Sequence, residues 1–88
     1  MVGKLHRHAR NEFHLADGRK LSSMLDLAMA LQDMNEDTFS HHVNSEKNDF
    51  ATWLDSEHDE KHLALELVKS KDKKENELII LRSIIKRL

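Results

Sequence analysis

Two histidines four positions apart come closer to a metal-binding motif than any other residues of this chain. On one continuous helix, His58 and His62 would share a face, and this spacing can chelate a zinc or nickel ion. About two to four more ligands would be needed, and Asp55 or Glu66 could join from the same face. The motif is not the H-E-x-x-H of metalloproteases, because aspartate follows the first histidine. A solvated, charged helix face is the more common origin of such a pattern, so we predict no metal and keep the pair as a secondary hypothesis.

The centre of the chain combines polar side chains with its one tryptophan. Asn48 or Asp49 stands where a helix would begin, and either could accept backbone N–H groups of the first turn as an N-cap. His42, one helix earlier, could donate to that carboxylate or to a backbone carbonyl, and Trp53 could bury the joint. We therefore predict a structural capping network of His42, Asn48, Asp49 and Trp53.

A functional alternative uses some of the same residues. His41 or His42 could contact a ligand at the surface together with Lys47 and Asn48. Burial distinguishes the two interpretations, because a capping network points inward and a ligand site must be reachable.

The composition excludes several classes of protein. The chain has no cysteine, so disulfides, thiolate zinc sites and cysteine nucleophiles are impossible. It has no nucleophile elbow, no glycine-rich phosphate loop and no carboxylate pair in an apolar setting. The longest apolar run, residues 78–81, is far too short to span a membrane. We expect a non-enzymatic, cytoplasmic protein with no cofactor and no membrane association.

The charged residues are unevenly distributed along the chain. Residues 1–20 carry a net charge of +3, residues 21–66 carry −9, and residues 67–88 carry +4. The basic ends could cover the acidic middle, or they could contact nucleic acid through phosphate neutralisation. Nucleic-acid association is our alternative function, through the basic N-terminal arm and residues 69–74. Its candidate residues are Lys4, Arg7, Arg10, Lys71, Lys73 and Lys74.

The apolar spacing predicts a mainly α fold, a compact bundle of about four to five short helices. Residues 1–10 lack apolar periodicity and are expected to form a basic flexible arm, followed by a single small helical domain over 11–88. Asp17-Gly18 indicates a tight turn in a possible short N-terminal β-hairpin. Ser23 and Asp26 have the spacing of a capping box. Further helices are expected over about 57–69 and from about 73 to the end.

The last helix has more apolar residues than one buried stripe requires. The stripe expected to face inward has heptad-like spacing and consists of Leu78, Leu81, Ile85 and Leu88. Three further isoleucines widen it and form the predicted partner-binding face: Ile79, Ile80 and Ile84. Either this helix is central and buried all round, or its spare face binds a protein partner, most simply a second copy of the chain. The sequence therefore predicts a protein-interaction module that self-associates or docks through its C-terminal helix.

The stretch from Phe13 to about Leu67 resembles a small uncharacterised domain family of archaeal and bacterial proteins. In that family an aromatic strand, a DG-type turn and a Leu-rich helix precede an HVN-x-x-KNDF-x-x-W block. Here the segment from Met34 to Trp53 reads MNEDTFSHHVNSEKNDFATW. The family has no established function, and the resemblance implies only that the domain is a binding module.

Overall fold

The computed structural model describes residues 7–88, which form helices joined by short connections and two small hairpins. The helices are α1 (Met24–Asp33), α2 (Glu36–His42), α3 (Asp49–His58), α4 (Lys61–Leu67) and α5 (Lys73–Arg87). The strands are β1 (Phe13–His14), β2 (Lys20–Leu21), β3 (Val43–Asn44) and β4 (Lys47–Asn48). The predicted mainly α fold with a short N-terminal hairpin is confirmed.

Only the first of the two hairpins is predicted from the sequence. In the first, Phe13 pairs with Leu21, and Gly18 adopts the positive φ of 98° expected of the Asp-Gly turn. The second pairs Val43 with Asn48, and no strand is predicted at these residues. This second hairpin brings the end of α2 beside the start of α3.

Side-chain caps begin four of the five helices described within residues 7–88. Ser23 and Asp26 form the predicted capping box at α1. Asn35 caps α2, Asn48 caps α3 and Asp72 caps α5, each by accepting a backbone N–H of the first turn. The helix boundaries therefore follow from local side-chain chemistry.

The helix expected over about 57–69 is present as α4, but its predicted start is wrong, because the chain breaks at Asp59 and the helix begins at Lys61. Asp59 is left-handed, with φ of 54°, and ends α3 at His58. Aspartate tolerates this conformation better than most residues. The turn lets Trp53 and Leu54 of α3 and Leu63 of α4 all enter one core, which a continuous helix would not allow.

The inward face of α5 also differs from the predicted one. Ile80 is fully buried and Ile84 is 8% exposed, whereas Ile85 is 66% and Leu88 is 82% exposed. Ile79 is half-buried. The docking face predicted from these isoleucines is therefore wrong for Ile80 and Ile84, which pack in the core of their own chain.

Polar anchors account for this orientation. Both stripes of α5 are apolar, so hydrophobicity alone does not choose between them. Asn76 lies on the same side as Ile80 and is fully buried, with hydrogen bonds to three neighbouring residues. At the other end of the helix, Arg87 donates to both carboxylate oxygens of buried Glu60, at 2.6 and 2.7 Å. These contacts turn Ile80 and Ile84 inward, where they meet the rest of the core.

The described part of the expected N-terminal arm contacts the domain. The Arg7 guanidinium donates to the backbone oxygen of Glu57, and the Ala9 N–H donates to that of Ser22. His8 shares a 2.7 Å hydrogen bond with the Ser22 hydroxyl. Residues 1–6, and with them Lys4, lie outside the described residues.

Candidate functional site

Asn48 joins three helices through a single buried side chain. Its Oδ1 accepts the N–H of Ala51 at 3.0 Å and so caps α3. Its Nδ2 donates to Oδ1 of Asn76 at 3.0 Å and approaches the backbone oxygen of Leu67 at 3.4 Å. The start of α3, the end of α4 and the start of α5 are thereby held together.

Asn76 continues this network into the connection between α4 and α5. Its Nδ2 donates to the backbone oxygens of Ser70, at 3.0 Å, and Asp72, at 3.3 Å. The side-chain oxygen and nitrogen of Asn76 are both hydrogen-bonded inside the protein. They therefore fix the 67–72 connection on its inner side. A buried amide pair of this kind is costly to disrupt, since each unpaired group would be left without water.

His42 is buried and uses both ring nitrogens. Its Nε2 accepts the backbone N–H of Ala16 at 3.0 Å, so the proton of the neutral ring lies on Nδ1. Nδ1 then donates to Oδ2 of Asp49 at 3.1 Å, and the same oxygen accepts from Lys47 at 3.0 Å. Burial raises the pKa of Asp49, but the hydrogen bonds from His42 and Lys47 outweigh it and keep that pKa below its usual value. His42 has no ring nitrogen left for a ligand or for proton transfer.

Trp53 completes the inward-facing set. Its ring is buried, and its Nε1 donates to the backbone oxygen of Asn11 at 2.8 Å. The ring meets Phe13 and His58 edge to face, with centroids 5.7 and 4.7 Å apart. Of the predicted network, His42 and Asp49 bind each other, Asn48 caps α3 but bonds Asn76 instead of His42, and Trp53 packs against Phe13 and His58.

A surface cleft of about 360 Å³ lies between the β3–β4 hairpin and the α4–α5 connection. Lys47 lines it, as the alternative ligand site would require, but His41 and His42 do not. Lys69 and Lys71 line the opposite wall. Sequence patterns do not predict that these two walls meet, because Lys47 lies far along the chain from Lys69 and Lys71 and no motif marks the second hairpin.

The residues predicted to contact nucleic acid have several different environments. Arg7 and Lys73 donate to backbone oxygens, Arg7 to Glu57 and Lys73 to Leu31. The remaining three described candidates are exposed: Arg10, Lys71 and Lys74. Lys74 lies 3.8 Å from the carboxylate of Glu77, and Lys71 is in the cleft. The contiguous basic surface that such binding needs is therefore reduced by internal contacts.

His58 and His62 do not share the helix face that chelation would need. His58 ends α3 and is 2% exposed, whereas His62 is exposed near the start of α4. The left-handed turn at Asp59 separates them. Within residues 7–88, no group of three histidine, aspartate or glutamate side chains is arranged to hold a metal ion.

Neither ring nitrogen of buried His58 makes a hydrogen bond of good geometry, unlike those of His42, and the backbone of Ser22 makes only a weak polar contact with the ring. Burial lowers the pKa of His58, and the nearby positive charge of Arg7 lowers it further. The backbone of Ser22 and the carboxylates of Glu57 and Glu60 act in the opposite direction, but more weakly. His58 is therefore held neutral against Trp53.

The apolar stripe that the sequence placed in the core runs along α5 from a half-buried start, where Leu81 packs against the core, to an outward-facing end. We call it the outer seam, and it consists of Leu78, Leu81, Ile85 and Leu88. Its first two residues are half-buried and its last two are largely exposed. The prediction that this stripe faces inward is wrong for Ile85 and Leu88, which are exposed, whereas Leu81 does pack against the core.

No family model, curated protein or solved structure matches the chain. No helix within the described range 7–88 combines the length and the apolar character needed to cross a membrane. The chain's function must therefore be inferred from its own residues.

Proposed function

We propose that this protein is a non-enzymatic helical interaction module that self-associates through the outer seam of α5. The observation that carries the proposal is the exposure of the C-terminal half of a heptad-spaced apolar stripe, with Ile85 at 66% and Leu88 at 82%, beside the half-buried Leu78 and Leu81. Fully burying an aliphatic side chain of this size contributes about 1.5–3 kcal/mol. Covering the seam would therefore remove a considerable hydrophobic cost.

A second copy of the chain is the simplest cover for the seam. The spacing of three, four and three residues is that of alternating a and d positions in a coiled coil. Two such seams, packed about a twofold axis, would place like apolar layers opposite each other. Two heptads are too few for a free-standing coiled coil, so the surrounding domain must support the pairing.

The domain provides that support from the opposite face of the helix. Asn76 anchors the first turns of α5, and the Arg87–Glu60 ion pair anchors the last turn. Ile80 and Ile84 fix the middle in the core. A helix already held in place loses little conformational freedom on pairing, which favours association.

The proposal is tested by sedimentation of the protein and two matched variants. At about 0.5 mM chain, we expect a substantial dimer fraction for the unmodified protein and a loss of about tenfold or more in association constant for Ile85→Glu. Met29→Glu is the control, because Met29 is 62% exposed but lies beside β2, in a groove with Lys20 and Leu21. Both substitutions add a charge at an exposed position, so neither should unfold the domain.

A monomer at this concentration would overturn self-association, and equal weakening by Met29→Glu would show that the seam is not the interface. Ile80→Glu is unsuitable as a test, because a carboxylate at this fully buried position would destabilise the fold itself. If a different protein covers the seam, the chain should be monomeric on its own, and Ile85→Glu should abolish binding of that partner.

A further inference from the structure

We propose that the cleft between the β3–β4 hairpin and the α4–α5 connection binds the phosphate group of a small molecule. The cleft is lined by residues 43–48 of the hairpin and residues 68–71 of the connection. Its volume of about 360 Å³ is within the usual range for small-molecule sites. The site is separate from the outer seam, so the proposal does not depend on self-association.

Two polar side chains of the cleft, Asn44 and Ser70, have an acceptor atom engaged and a donor available. Asn44 Oδ1 accepts the backbone N–H of Glu46 at 3.0 Å, which leaves the amide N–H groups of Asn44 to donate. Ser70 Oγ accepts the N–H of Asp72 at 3.1 Å, which leaves its hydroxyl proton. Ser45 contributes a second hydroxyl. A cleft that presents donors favours a ligand rich in acceptors.

The charge of the lining favours an anion. Lys47, Lys69 and Lys71 contribute three positive charges, against one negative charge from Glu46 at the tip of the hairpin. Lys47 is paired with Asp49, but Lys69 and Lys71 are exposed and have no ion pair with any residue between 7 and 88. Their ammonium groups can therefore turn to a bound anion without breaking an existing contact.

The floor of the cleft is rigid. Asn48 lies at its base, and the buried amide pair with Asn76 fixes the hairpin side to the connection side. The backbone oxygens of Leu67 and Ser70 are held by the same two amides. The two walls thus keep their separation in the absence of ligand, which lowers the cost of binding.

Phosphate fits these donors better than carboxylate. Planar carboxylates are recognised most specifically by the fork of an arginine, and no arginine lines the cleft. Lysine binds phosphate as a mobile point charge, and several lysines can reach different oxygens of a tetrahedral group. The exposed Val68, at 55%, would contact the uncharged remainder of the molecule.

The proposal is tested by NMR titration of the ¹⁵N-labelled full chain with inorganic phosphate, at constant ionic strength and about pH 7.5, where phosphate carries close to two charges. We expect saturable shifts with a dissociation constant in the millimolar range, largest at the amides of Asn44, Ser45 and Ser70. The double variant Lys69→Gln/Lys71→Gln should weaken binding by about fivefold for each ammonium group that contacts the anion. Lys20→Gln/Lys61→Gln removes the same charge from exposed positions outside the cleft and should leave the affinity unchanged.

Three results would overturn the proposal: shifts that do not saturate, shifts centred outside the cleft, or equal weakening by both double variants. Acetate in place of phosphate should bind more weakly, and equal binding would contradict the preference for a tetrahedral anion. Glu46→Gln should tighten binding, because it removes the repulsive charge from the lining. Ile85→Glu should bind phosphate normally, so failure of the seam and failure of the cleft can be told apart.

Discussion

His42 and His58 are both buried histidines in the same core, yet their rings have opposite environments. His42 accepts from the backbone of Ala16 and donates to Asp49, so both nitrogens are satisfied. His58 makes no hydrogen bond of good geometry at either nitrogen, with only a weak contact to the Ser22 backbone, and packs its ring on Trp53. The comparison separates two contributions of a buried imidazole, its hydrogen bonds and its apolar ring.

The difference teaches that burial alone does not assign a role to a histidine. His42 connects the N-terminal hairpin to the start of α3 by directional bonds, and its geometry depends on them. His58 fills space, and it is poorly suited to hold a charge because its surroundings include Arg7 and little water. The ring of His42 stabilises the fold through its nitrogen atoms, whereas that of His58 stabilises it through its apolar surface despite its nitrogen atoms.

The largest effect is expected for His42→Leu, which removes the hydrogen bonds while keeping an apolar side chain. The N–H of Ala16 and the carboxylate of Asp49 lose their common partner, at a cost of about 1–3 kcal/mol in the free energy of unfolding. Urea unfolding near neutral pH, followed by the fluorescence of Trp53, measures this loss. His58→Leu is the matched control and should be nearly neutral or slightly stabilising, because it removes two unpaired polar atoms. Equal losses in the two variants would break the comparison.

A smaller effect is expected in the pH dependence of the free energy of unfolding. Because the pKa of His58 is lower in the folded protein, the unfolded chain takes up the proton first. The contribution of this group to the free energy of unfolding is therefore constant well above pH 6.5, the ordinary value, and decreases as the pH falls below it. His58→Leu should remove this part of the pH dependence, and His42→Leu should retain it. An unchanged profile in His58→Leu would show that the neutral buried ring is not its source.

The smallest effect is expected for Asp49→Asn, which keeps the shape of the His42 partner but removes its charge. Asp49 is 34% exposed, so solvent screens much of the interaction, and the loss should be about 0.5–1 kcal/mol. Because the pKa of Asp49 is lowered on folding, its contribution is present above pH 3.8 and is lost as the pH falls through the folded value. The free energies of unfolding of Asp49→Asn and of the unmodified protein should differ above this pH range and become equal at its acid end. A loss larger than that of His42→Leu would mean that Lys47, not His42, is the main partner of Asp49.

The capping chemistry of this chain could be predicted because it is local. The capping box at Ser23 and Asp26 and the cap of Asp72 involve residues within one helical turn, so spacing alone identifies them. The partners of His42 and Asn76 could not be predicted in the same way. They come from distant parts of the chain, and the break at Asp59 that brings α4 back to the core has no strong sequence signal.

The chain's own sequence determined that this protein is helical, that α5 carries two apolar stripes and that its charges are segregated. Periodicity and composition are properties of neighbouring residues, and these conclusions need nothing more. Tertiary structure alone decided which stripe of α5 is buried, because the choice depends on the fit of Asn76 and Arg87 to partners in other helices. It also decided that Lys47 and Lys69 face one cleft, since only the folded chain brings residues so far apart in sequence to within reach of a common ligand.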